Sequence, residues 1–178
     1  PEREVVIGYF GHLTPRWFDW PALTRVARAR PAWRFEIIGH QAPEHLRLPE
    51  NVHRLGPKTH AEICEIAARW RAAIIPFKMS ALADAVDPIK IYEYFGLGLP
   101  VVSFRMPQIA DYPHTETVDT VEDFVAALER AVETPVDAAR LEAFLAENQW
   151  SRRAEQLLAA ADEILADPPF EKRLGGRE

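Results

Sequence analysis

Cysteine is almost absent from this chain. Cys64 stands alone among 178 residues, which excludes an intramolecular disulfide and any cysteine-based metal cluster. The scarcity fits a reducing, cytoplasmic setting. Long apolar runs are lacking as well, and none approaches the roughly 20 residues that a membrane span requires. The opening Pro1-Glu2-Arg3-Glu4 has no signal-peptide character. Positive charge is in deficit: 21 Lys and Arg face 27 Asp and Glu, for a net charge of −6. No general field therefore draws nucleic acid or anionic lipid, and any phosphate must be held by a local site. Glycine-rich phosphate loops are missing too. Gly8-Tyr9-Phe10-Gly11 lacks the third glycine of a dinucleotide fingerprint, and neither Walker lysine pattern occurs. His40 and His45 share a Pro-containing segment, while His53 and His60 lie on separate elements. None of these spacings matches a ligand set, so no metal site is expected. The acids are too scattered for a paired-carboxylate glycosidase site.

What the chain does have is a regular alternation. Val5 to Phe10 is a continuous apolar run, the pattern of a strand buried on both faces. Asp19 and Pro21 open a helix that carries Leu23, Val26 and Ala27 and ends at Arg30-Pro31. Phe35 to Gly39, Val52 to Gly56, Ala72 to Phe77 and Pro100 to Phe104 read as further strands, with a short sixth near Thr115–Val118. Thr59 and Glu62 form a capping box ahead of Ile63, Ile66, Ala67 and Trp70. Thr120 opens a helix with Phe124, Val125, Leu128 and Val132 on one face. Another helix runs from about Asp137 to Glu147. The last begins at Ser151, with Leu157, Leu158, Ala161 and Leu165 as a packing stripe. Strand–helix alternation predicts an α/β, doubly wound, mostly parallel Rossmann-like sheet flanked by helices.

In such sheets, ligands sit outside the carboxyl ends of the strands. The most informative stretch there is Ala85 to Tyr94. Asp87 and Pro88 read as N-cap and first helical position, and Gly98 stops the helix after Leu97. A helix start offers amides and partial positive charge to phosphate. Lys90 adds a full charge one turn in, and Glu93 shares its face, placed as carboxylates that grip ribose hydroxyls often are. The same residues also suit a plain capped surface helix with an ordinary Lys–Glu pair.

Asp87-Pro88-Ile89-Lys90-Ile91-Tyr92-Glu93-Tyr94, followed by Gly98-Leu99-Pro100-Val101-Val102, resembles the signature of the group-one glycosyltransferases of GT-B architecture. Ile7-Gly8-Tyr9-Phe10-Gly11 resembles the opening strand and glycine loop of their nucleotide-sugar-binding domain. Arg30 to Gly39, Val52 to Gly56 and Asn148 to Ser151 match its later elements in order. The resemblance implies a C-terminal Rossmann-like domain over residues 1–166, with residues 167–178 as a flexible tail and an N-terminal acceptor domain absent from this chain. It implies binding of a nucleoside diphosphate sugar, with Gly11, Arg16, Pro88, Ile89, Lys90 and Glu93 around the donor nucleotide. Lys90 would serve catalysis by stabilising the leaving diphosphate. Transfer would proceed with retention, without metal or cofactor, in polysaccharide biosynthesis. A peripheral membrane association of the full protein stays open.

Two positions depart from the family pattern. Many members carry a second acid eight positions before the helix glutamate; here that place is Ala85, with Asp84 and Asp87 beside it. The first loop often holds Arg and Lys as a phosphate clamp, where this chain has His12 and Trp17 with Arg16 between them. Two other readings therefore stand beside transfer: a non-catalytic nucleotide-binding or interaction domain on the same scaffold, or half of a sugar-nucleotide epimerase.

Overall fold

A computed structural model describes residues 4–166. The expected tail, residues 167–178, lies outside the described residues. Six strands form one sheet: β1 (Val6–His12), β2 (Arg34–His40), β3 (Val52–Gly56), β4 (Ala72–Ile75), β5 (Val101–Phe104) and β6 (Thr115–Val118). Their order is β3-β2-β1-β4-β5-β6, and every pairing is parallel. The sheet is thus parallel throughout. Parallel strands covered on both faces explain the unbroken apolar runs: Ile7, Tyr9, Phe35, Ile37 and all four residues of β4 are buried.

The helices form where the sequence supplies caps and stripes. In α1 (Trp20–Ala29), Asp19 accepts from the amide of Ala22. In α2 (His60–Ala67), Thr59 and Glu62 form the reciprocal capping box. The segment 78–86 contains a short helix α3 (Ala81–Asp84), because Ser80 caps it through the amide of Ala83. The next, α4 (Lys90–Gly96), ends before Gly98, whose φ of +71° turns the chain into β5 as predicted. In α5 (Val121–Glu133), Thr120 caps, and Phe124, Val125, Leu128 and Val132 are buried as the stripe requires. A polar knot supports the sheet from within. Glu36 on β2 is fully buried, yet it accepts from Arg34 at 2.8 Å, Arg69 at 2.6 Å and the Trp70 indole at 2.9 Å.

The chain divides into two compact units between Leu141 and Glu142. The first holds the sheet. The division falls inside α6 (Ala138–Glu147), and the second unit contains α7 (Trp150–Ala166). The expected packing of the α7 stripe is not observed: Leu157, Leu158 and Leu165 are 72%, 65% and 56% exposed. A helical apolar period marks a face able to pack, and does not say which chain segment covers it.

Candidate functional site

The sheet order reverses direction between β1 and β4, and in doubly wound sheets the ligand crevice lies at such a switch point, outside the carboxyl ends of the strands. β1 and β2 run longer than the sequence suggested, pairing in register to Gly11↔Gly39 and His12↔His40. Gly11 is therefore a strand residue and not part of a loop. The close approach of the two strand ends explains the residue types. A β-carbon on Gly39 would lie 1.8 Å from the carbonyl oxygen of Gly11, and the two glycines hold φ of +147° and +143°. Only glycine meets both conditions without strain.

Lys90, in the first turn of α4, reaches the carboxyl end of β1. A β-carbon on Gly11 would sit 3.0 Å from its Cε and 3.2 Å from its Nζ. Two of the residues singled out in the sequence are thus neighbours in space. The ammonium also lies 5.3 Å from the centre of the Tyr9 ring and 4.7 Å from that of Phe77. Such faces attract a cation. Burial nevertheless lowers the Lys90 pKa to about 8, and the Glu93 carboxylate acts in the opposite direction. This is not the solvated surface lysine of the plain reading. Its charge is held partly away from water, where it acts strongly on an incoming anion.

The start of α4 departs from the expected capping. Asp87 is not its N-cap and Pro88 is not its first residue. The cap position is Ile89, in the helical region, with no side-chain cap. Two tight bonds, from the Ile91 amide to Pro88 and from the Tyr92 amide to Ile89, lead into the helix. The Asp87 carboxylate turns instead to phenols, accepting from Tyr92 at 2.7 Å and from Tyr112 at 3.2 Å. Pairing with Tyr92, five residues on, and with Tyr112, 25 residues on, takes the place of the local cap. Pro88 is buried, Ile89 is 64% exposed and Glu93 is half-buried.

Among the described residues, Arg16 contributes no side-chain hydrogen bond or ion pair to the geometry around Lys90. It is exposed on the segment after β1, where its backbone amide lies 3.5 Å from the Thr14 hydroxyl. Its neighbour Trp17 has its ring 5.9 Å from that of Phe77, one of the rings beside Lys90. His12 and His40 stand edge to face at the paired strand ends, 4.4 Å between ring centres. Of the acids beside Ala85, Asp84 has a buried oxygen without a hydrogen bond and lies 3.9 Å from Arg105. Tyr9, Phe77 and Tyr112 escaped the sequence reading. Tyr9 alone carried a signal, since alternation puts it on the same face of β1 as Gly11.

Residues 4–134 match the family described as Glycosyl transferases group 1. The chain belongs to the group 1 glycosyl transferases. Among curated relatives, this glycosyl transferase chain is 30% identical over 140 residues to TuaH of Bacillus subtilis (strain 168), whose name places it as a glycosyltransferase in teichuronic acid biosynthesis. The alignment covers 72% of this chain and 35% of TuaH. Among solved structures, the lipopolysaccharide outer core galactosyltransferase WaaB in its apo form matches with a TM-score of 0.68 at 16% identity, covering 92% of this chain and 51% of WaaB. Anabaena Alr3699/HepE, solved in complex with UDP, matches with a TM-score of 0.63 at 18% identity, over 90% and 49% of the two chains. The likeness in structure extends to WaaG, a glycosyltransferase of lipopolysaccharide biosynthesis, with a TM-score of 0.62 at 18% identity over 94% and 48%. The present glycosyl transferase chain thus spans about half the length of these structures and about a third of TuaH. Among the described residues no helix is long and apolar enough to cross a membrane.

Proposed function

We propose that this chain is the donor half of a glycosyl transferase, and that it binds a nucleoside diphosphate sugar in the crevice between β1 and β4. The observation that carries the reading is the partly buried Lys90 ammonium set against Gly11 at the switch point. The missing side chain at Gly11 leaves room for the Lys90 stem at the end of β1, and Lys90 meets the charge of the diphosphate. Glu93 takes the ribose hydroxyls, and the 88–90 backbone adds amide dipoles beside the phosphates. Arg16 joins only if its side chain swings in from solvent.

In the reaction, the bond between the sugar's anomeric carbon and the diphosphate oxygen breaks, and negative charge grows on the leaving group. Lys90 is placed to stabilise that charge where it develops, which lowers the barrier more than it stabilises the bound donor. Transfer proceeds with retention and without a metal ion. The acceptor is held by a domain outside this chain, so residues 1–178 bind donor without turnover. The complex of Alr3699/HepE with UDP supports the nucleotide class, as does that of the pneumococcal O-GlcNAc transferase GtfA with UDP and GlcNAc.

The test is a thermal-shift panel of UDP, GDP, TDP and ADP with their sugars. One base series should raise the melting temperature in proportion to the logarithm of ligand concentration, because a ligand that binds only the folded state stabilises it by mass action. No shift with any member at millimolar concentration rejects the reading.

A further inference from the structure

We propose that Tyr92 and Tyr112 are positioning residues that hold the Asp87 carboxylate away from Lys90 and from the phosphates of the donor. The proposal rests on the donor-binding reading. Asp87 stands three residues before Lys90, a spacing that puts a carboxylate beside the ammonium or onto the first amides of the helix. Either arrangement would set a negative charge where the diphosphate has to lie. In the structure Asp87 Oδ2 accepts from the Tyr92 hydroxyl at 2.7 Å and from the Tyr112 hydroxyl at 3.2 Å, and the two hydroxyls are 3.0 Å apart. The three groups close a triangle. Tyr92 belongs to α4 itself, whereas Tyr112 comes from the connection between β5 and β6, so the tie is tertiary and not a local turn. Burial, with help from Tyr112 and Asp87, keeps the Tyr92 phenol protonated far above its usual range. The Tyr92 phenol therefore remains a donor at any working pH. The carboxylate that acts on Lys90 is that of Glu93, which stands one turn further into the helix.

The test uses the 178-residue chain with the double substitution Tyr92→Phe and Tyr112→Phe, which removes both hydroxyls and keeps both rings. UDP and uridine are titrated by calorimetry, or GDP and guanosine if the panel selects guanine. UDP affinity should fall about threefold to tenfold, the scale of one net hydrogen bond, while uridine affinity is unchanged. Adding Asp87→Asn to the double variant should restore UDP binding to within about twofold of the parent chain, because the released group no longer carries charge. Unchanged UDP binding in the double variant overturns the proposal. So does failure of Asp87→Asn to restore it, since a merely structural tie would weaken both ligands and gain nothing from losing a charge. Melting temperatures check the fold. If the double variant unfolds, Tyr112→Phe with and without Asp87→Asn gives the same comparison. A parent chain that binds no nucleotide overturns the donor-binding reading itself, and this proposal with it.

Discussion

Replacing Lys90 by methionine keeps an unbranched stem against Tyr9 and Phe77 and removes the charge. If Lys90 meets the diphosphate, one charge-assisted hydrogen bond is lost, about 1.5–3 kcal/mol, or roughly 10- to 150-fold in affinity. Nucleoside binding should not change. Burial has lowered the Lys90 pKa to about 8, which adds a second signature. Near pH 7 most chains carry the charge, and at pH 9 only about a tenth do. Wild-type affinity for the diphosphate should therefore drop about tenfold from pH 7 to pH 9, with a proton taken up on binding at the higher pH. The variant's affinity should be flat across that window, so the two curves converge. Stability moves the other way. The folded pKa lies below the unfolded value of about 10.4, so burial of the charged form opposes folding at neutral pH and the penalty disappears as pH rises from 8 to beyond 10. The variant should be at least as stable as wild type at pH 7, which separates lost binding from lost fold. Calorimetry at several pH values, in two buffers of different ionisation enthalpy, reads affinity and proton uptake together. Equal losses for nucleoside and diphosphate, or a wild-type profile flat from pH 7 to 9, would refute the reasoning.

Three further outcomes are expected. Glu93→Ala should weaken nucleoside and nucleoside diphosphate alike by about 1.5–3 kcal/mol through lost ribose contacts, and unchanged calorimetric affinity rejects that role. Gly39→Ala should destabilise by at least about 2–3 kcal/mol, since it forces a side chain into both a left-handed conformation and the Gly11 carbonyl; a loss below ~1 kcal/mol in urea unfolding argues against the strand-end contact. For Glu36, burial works to raise its pKa, but bonds from Arg69, Arg34 and Trp70 outweigh it and hold the carboxyl below its usual value. Its contribution is present above the unfolded value of about 4.3 and is lost as pH falls through the lower folded value. Glu36→Gln should therefore cost about 1–3 kcal/mol at pH 7 and progressively less in acid, as read by urea unfolding at stepped pH; an undiminished difference at low pH would contradict the ionised cluster.

The fold was legible because a parallel sheet writes itself as apolar runs separated by capped helices. Asp19, Thr59 and Thr120 announced their helices correctly, and Gly98 its turn. Local grammar failed where a distant residue intervened. Asp87 had every feature of an N-cap, and Tyr92 together with the distant Tyr112 holds it elsewhere. The α7 stripe had the period of a packed face and is exposed, because period tells which residues share a side and not what lies opposite. Lys90 and Gly11 were each singled out from sequence, but their contact, 79 positions apart, depends on β1 and β4 lying side by side. The rings beneath Lys90 left little trace, since an aromatic in a buried strand is ordinary core until a cation is found above it.

The order of the strands also shapes how the chain must fold. The centre of the sheet joins β1 to β4 through Ile7↔Ala72, a pairing of segments far apart in sequence. Every strand pair here is parallel, so each closes only after a crossover has been completed, and none can begin as a tight hairpin. Loop-closure entropy is spent before such contacts return anything, which makes their formation slow. During synthesis β1 and β2 can pair early, but the other edge of β1 stays open until β4 has emerged. For that interval an apolar edge is exposed to any neighbouring chain. The crevice that would receive the nucleotide is thus assembled late, at the seam where the two halves of the sheet finally meet.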